Sequence, residues 1–158
     1  MQNNKRIIRS RYGGSSQTSF AEVNNKILKM KIEHIAIWVK DLEKSRAFYQ
    51  KYFGAVSNEK YYNPVKNFQS YFLSFDNGCR LEIMTKPDIR ETENSYESQQ
   101  YGIIHLAFSV DSKEKVDELT ETLRKDGYTV AGESRTTGDG YYESVILDPE
   151  NNIIEIVA

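Results

Sequence analysis

Beyond residue 30, apolar and polar positions alternate in short runs, and the runs come twice in the same order. "KIEHIAIWV" at 31–39 has the period of two expected of a strand and is rich in β-branched and aromatic residues. "DLEKSRAFYQKYFG" changes to a helical period, with Asp41 as N-cap, Leu42, Tyr49, Tyr52 and Phe53 on the apolar face, and Gly54 as the stop. Three strands are expected next, at about 55–62, 68–75 and 79–85, with "DNG" at 76–78 as a tight hairpin.

The second half repeats this grammar. "GIIHLAFSV" at 102–110 reads as a strand, followed by a helix in which Asp111 and Glu114 have the spacing of a capping box and Gly127 marks the end. Val116, Leu119 and Leu123 form its apolar stripe. Strands at about 128–134, 141–147 and 152–157 follow, separated by the turns "TTGDG" and "DPENN". Residues 31–85 and 102–158 are therefore two βαβββ modules of an α+β domain. The polar, aperiodic stretch 86–101 is an exposed linker or lid between them.

A chain of 158 residues suits one core, here a single domain at 31–158. The net charge of −2 conceals an asymmetry: residues 1–30 carry six Lys or Arg against Glu22 alone, which leaves about −7 on the rest. That split speaks against a nucleic-acid surface on the folded body. The basic, Gly- and Ser-containing stretch 1–30 reads as a disordered leader. It lacks the apolar run of a secretory signal, and no later segment has membrane-spanning length, so cytoplasm is the default expectation. Cys79 is the only cysteine, which leaves no intrachain disulfide and no cysteine metal cluster; packing as a small hydrophobe is its plain role.

The candidate chemistry lies in the repeat. His34 is in the first strand of module one and Glu82 in its last, 48 residues on; His105 and Glu155 hold the matching places in module two, 50 residues apart. Strand alternation sets Ile35, Ile37 and Val39 on one face and His34 with Trp38 on the other; likewise Leu81 and Ile83 oppose Glu82, and Ile154 and Ile156 oppose Glu155. Taken singly, each histidine is better explained by a hydrogen bond at a sheet edge, and each glutamate by solvent. As a duplicated set they point to a metal. If two curved sheets face one another, two carboxylates in the space between are costly unless a cation meets them. Imidazole nitrogen with carboxylate oxygen suits Zn or Ni ahead of Co, Mn or Fe, and any of these ahead of Mg or Ca.

With "HIAIWVKDLEKSRAFYQKYFG", "RLEIM", "GIIHLAFSV" and "LDPENNIIEI", the chain resembles the vicinal oxygen chelate superfamily, which includes glyoxalase I, epimerases, extradiol dioxygenases and antibiotic-resistance proteins. The resemblance implies paired βαβββ modules forming an open, mixed-sheet barrel around a metal site, within one chain or across a homodimer. It implies His34, Glu82, His105 and Glu155 as ligands, with Glu155 as catalytic base and Glu82 as its partner or substitute. The implied reaction is a glyoxalase I-like lyase or epimerase-type isomerisation of a small substrate with vicinal oxygens, through a metal-bound enediolate. A non-catalytic small-molecule-binding or resistance protein and a ring-opening dioxygenase are the alternatives. Glyoxalase I has an Arg four residues past its first ligand, serving the glutathione carboxylate, whereas Trp38 stands there in this chain, which puts glutathione in doubt.

The remaining candidates concern substrate binding. Arg135, beside the turn Gly138-Asp139-Gly140, suits a substrate carboxylate or phosphate, or simply an exposed hairpin. Tyr141 and Glu143 share one strand face with Val145 and extend the pocket if that face is inward. Arg80 offsets cavity charge or pairs with a surface acid, and Trp38 is a pocket wall or a packing residue.

Overall fold

Each alternating run folds as a strand and each 3.6-period run as a helix, in the order β1 (His34–Trp38), α1 (Leu42–Phe53), β2 (Val56–Ser57), β3 (Tyr61–Asn63), β4 (Phe68–Ser74), β5 (Arg80–Thr85), β6 (His105–Ser109), α2 (Lys113–Lys125), β7 (Val130–Thr136), β8 (Tyr142–Leu147) and β9 (Ile153–Val157). The computed structural model describes residues 30–158, of which Ile32–Ala158 is one compact unit. The expected leader, apart from Met30, lies outside the described residues. No helix among the described residues is long and apolar enough to cross a membrane.

Local chemistry sets the helix ends. The Asp41 carboxylate accepts from the Lys44 backbone N–H at 2.9 Å, and Gly54 closes α1 in the left-handed region at φ 64°, where a side chain would be strained. In module two the cap is Ser112 rather than Asp111, and Ser112 Oγ accepts from the Lys115 N–H at 3.4 Å. The shift has a cause in the sheet: the Val110 N–H still donates to the Val157 carbonyl at 2.8 Å, which keeps the chain extended one residue longer. The single strand expected at 55–62 is two short ones, β2 and β3, each antiparallel to β4.

The two sheets have matching cores. Sheet one runs β1-β5-β4-β2 with β3 also on β4; sheet two runs β6-β9-β8-β7. The first and last strands of each module lie parallel, pairing Ala36 with Glu82 and Ala107 with Glu155. One continuous core fills the space between helices and sheets: Phe48, Tyr49, Leu73, Ile83, Val116, Leu123, Ile146, Ile154 and Ile156 are essentially inaccessible. The modules meet through it, since Phe108 of β6 contacts Tyr49 and Phe53 of α1, at ring-centroid distances of 6.1 and 4.5 Å, and Phe48 contacts Tyr128 at 4.8 Å.

This packing overturns the expected barrel. Neither sheet closes, and no hydrogen-bonded strand pair joins the two. The physical reason is the apolar stripe of α1, which serves both modules at once and draws together their helix-covered faces. The faces carrying His34 and His105 are left on the outside, and both histidines are exposed. Among the described residues no group of three or more His, Cys, Asp or Glu is placed to hold a metal ion, so the four expected ligands do not converge within one chain.

Candidate functional site

Each module instead presents a pair of donors. Parallel pairing of β1 with β5 puts His34 and Glu82 on the outer face of sheet one, with His34 Nε2 3.9 Å from Glu82 Oε2. The same relation of β6 to β9 leaves His105 Nε2 3.3 Å from Glu155 Oε2. Both glutamates are more enclosed than their histidines, with side chains 15% and 22% exposed against 40% and 38%.

The donor sets fit half of a transition-metal site. Two donors held at about 2.0–2.2 Å by one tetrahedral cation stand roughly 3.3–3.5 Å apart, so the His105/Glu155 pair already has that separation and the His34/Glu82 pair needs a small closure. The His34 ring is held by a neighbour. Its Nδ1 lies 2.5 Å from Glu33 Oε2, which leaves Nε2 facing Glu82. The His34 ring beside Glu33, aided by Arg80, holds that exposed carboxyl below its usual range.

The other predicted residues divide between the two faces. Arg80 shares the His34 face, donates through Nε to Glu33 at 2.8 Å and lies over the Phe72 ring at 4.2 Å, so it is held by a surface acid. Phe72 pairs with Glu82 across β4 and β5 and meets the His34 ring edge-on at 5.3 Å. Trp38 stacks edge-on against Phe68 at 6.1 Å, under the ammonium of Lys86 at 5.3 Å. On sheet two, Glu143 is buried on the Glu155 face and accepts from Arg135 Nη2 at 3.3 Å. Tyr141 is exposed at the hairpin before β8, where its carbonyl accepts from the Thr137 N–H.

A cleft of about 760 Å³ lies between the 85–97 segment, the end of β1 and the start of β9, with Trp38, Tyr96, Ile104 and Ile153 in its walls. None of the four metal-type donors lines it. Sequence reasoning did not single out Tyr96, Gly132 or Asp148. The signals were a lone glycine inside the strand "VAGESRT", which marks a close approach, and the aspartate of "LDPENN", whose position allows its carboxylate to collect the N–H groups of its own turn.

The chain matches the family model described as the Glyoxalase/Bleomycin resistance protein/Dioxygenase superfamily over residues 31–156. It is 32% identical over 130 residues to Uncharacterized protein YqjT of Bacillus subtilis (strain 168), covering 80% of this chain and 98% of that one. Among solved structures, a glyoxalase/bleomycin resistance protein/dioxygenase family enzyme from Burkholderia phytofirmans PsJN is 27% identical with a TM-score of 0.59, covering 81% of this chain and 98% of that one. The trypanothione-dependent glyoxalase I of Leishmania major shares the fold at 23% identity and a TM-score of 0.64, over 82% of this chain and 86% of that one.

Proposed function

Because this chain belongs to the glyoxalase/bleomycin resistance protein/dioxygenase superfamily, we propose that it is a metal-dependent lyase or isomerase, similar to lactoylglutathione lyase, that acts on a small substrate with vicinal oxygens and works as a homodimer. The observation that supports this reading is the repeated pair: one imidazole and one carboxylate at equivalent register positions of both modules, 3.9 and 3.3 Å apart, each on an exposed sheet face. Each pair is half of a ligand set. A second copy of the chain completes it by setting the His34/Glu82 face of one protomer against the His105/Glu155 face of the other.

Those four side chains would hold one divalent cation, Zn or Ni ahead of Co, Mn or Fe, which supplies a Lewis acid for the two substrate oxygens. Glu155 takes the proton from the hydroxyl-bearing carbon beside the carbonyl and returns it to the former carbonyl carbon, while the hydroxyl proton passes to the other oxygen, so the reaction is an isomerisation with no net change in protons or electrons. Glu82 holds the opposite side and is the second candidate for the base. Glu33 fixes the His34 ring, and the Arg135–Glu143 pair offers a cationic group to a substrate anion on the Glu155 side.

Elemental analysis and turnover of methylglyoxal with different thiols test the reading together. The expected result is one bound metal per site in wild type, its loss in both His34→Ala and His105→Ala, and turnover that follows metal content. Unchanged metal stoichiometry in both variants would refute it. A second reading, a small-molecule-binding protein without catalysis, is favoured by the cleft that contains none of the four donors. Ligand binding that survives both chelation and the double His34→Ala/His105→Ala change would select it.

A further inference from the structure

The connecting segment delivers one side chain onto the face that carries Glu155. Tyr96 Oη stands 3.3 Å from the point a Cβ on Gly132 would occupy, and Val145 Cγ2 stands 3.1 Å from the same point. Gly132 is the register partner of Val145, and Val145 is the register partner of Glu155. Register partners share a face, so Gly132, Val145 and Glu155 form one row across β7, β8 and β9, with the Tyr96 hydroxyl at the far end of it. Two strand spacings, roughly 10 Å, separate the ends of the row.

The phenol is seated but has no protein partner. It makes no hydrogen bond to any described residue, and it is half-buried and reached by solvent rather than enclosed. A solvated hydroxyl can exchange its water for a ligand oxygen when a substrate is bound. Gly132 is what admits it: a Cβ there would crowd both Val145 and the hydroxyl, and the β7–β8 register is irregular on both sides of this residue. One row along, the Arg135–Glu143 pair supplies charge, and Tyr96 adds a neutral donor on the same side.

We propose that Tyr96 is a specificity-determining residue whose hydroxyl donates to an oxygen of the substrate remote from the reacting carbon, and that Gly132 is small in order to seat it. The substrate class is thereby narrowed to small molecules with vicinal oxygens at one end and a further acceptor, carboxylate or carbonyl, at the other. This rests on the reading that Glu155 faces the reacting carbon.

Two hydroxamates serve as probes, both with vicinal oxygens: acetohydroxamate, which ends in a methyl group, and the monohydroxamate of succinate, which ends in a carboxylate. Affinities are measured by calorimetry on the full chain loaded with zinc. Wild type is expected to prefer the succinate compound. Tyr96→Phe is expected to weaken it about 10-fold while leaving acetohydroxamate and zinc content unchanged, and Gly132→Ala to give the same selective loss. Equal affinity of wild type and Tyr96→Phe for the succinate probe overturns the assignment of Tyr96 alone. Failure of zinc-loaded wild type to bind either hydroxamate overturns the reading of the Glu155 face, and this proposal with it.

Discussion

The hydroxyl of Tyr49 donates a 2.9 Å hydrogen bond to Asp148 Oδ2, reaching from α1 of the first module to the turn between β8 and β9 of the second. The same carboxylate accepts from the backbone N–H groups of Glu150 and Asn152, each at 2.8 Å, and from Asn152 Nδ2 at 2.9 Å. Four donors thus meet one buried carboxylate, which fixes the turn and ties the modules together. Tyr49→Phe should cost about 1 kcal/mol, whereas Asp148→Ala should cost roughly 2–3 kcal/mol because it strands several donors at once. Urea unfolding of the two variants measures both, and equal costs would contradict the account of Asp148 as the hub.

Burial pushes the Asp148 carboxyl above its ordinary value, an effect its hydrogen-bond donors only partly offset. A folded-state value above the unfolded one means that folding takes up a proton here. The stability contributed is complete below the unfolded value and is lost as pH rises through the folded one. Wild type should therefore gain stability relative to Asp148→Asn as pH is lowered from 7 to 4, and a pH series of unfolding curves checks the sign.

Phe48 is 2% exposed and contacts Tyr49, Tyr52, Phe53 and Tyr128, and so lies where the two modules share their core. Phe48→Ala should cost roughly 3–5 kcal/mol. Under the shared-core account both modules unfold in a single transition, so circular dichroism and tyrosine fluorescence should give coincident midpoints. Two separated transitions would contradict it.

Much of this architecture was legible in the chain. Period two located the strands around His34 and His105, and Asp41 and Gly54 marked the ends of α1 because a carboxylate cap and a left-handed residue each satisfy a local need. Phe48 escaped notice since the helical stripe was traced through Tyr49, Tyr52 and Phe53, and only tertiary packing brings Tyr128 onto it. The alternation of residues around His34, Glu82, His105 and Glu155 is local and readable, but which faces meet is not. That choice is made by Phe108 and Phe53, 55 residues apart, and it turns the histidine faces outward. The seat of Tyr96 depends in the same way on a contact between a connecting segment and a strand distant in sequence.

Replacement of the proposed base separates its chemistry from its place in the site. Glu155→Gln keeps the shape of the side chain and removes the proton acceptor, so turnover should fall about 10²–10⁴-fold. Single-turnover assays at saturating zinc measure this against Glu82→Gln. Full turnover by Glu155→Gln with metal retained would assign the base elsewhere.

The central claim is that each chain carries two half-sites completed by a second copy. Mixing two disabled chains, His34→Ala/Glu82→Ala with His105→Ala/Glu155→Ala, tests it most directly, because a heterodimer of the two rebuilds one intact site and leaves the other with no ligands. After denaturation together and refolding, the mixture should regain metal binding and activity at about one quarter of the wild-type level, since half the dimers are mixed and each holds one working site. A mixture as inactive and as metal-free as its separate parents would contradict the account.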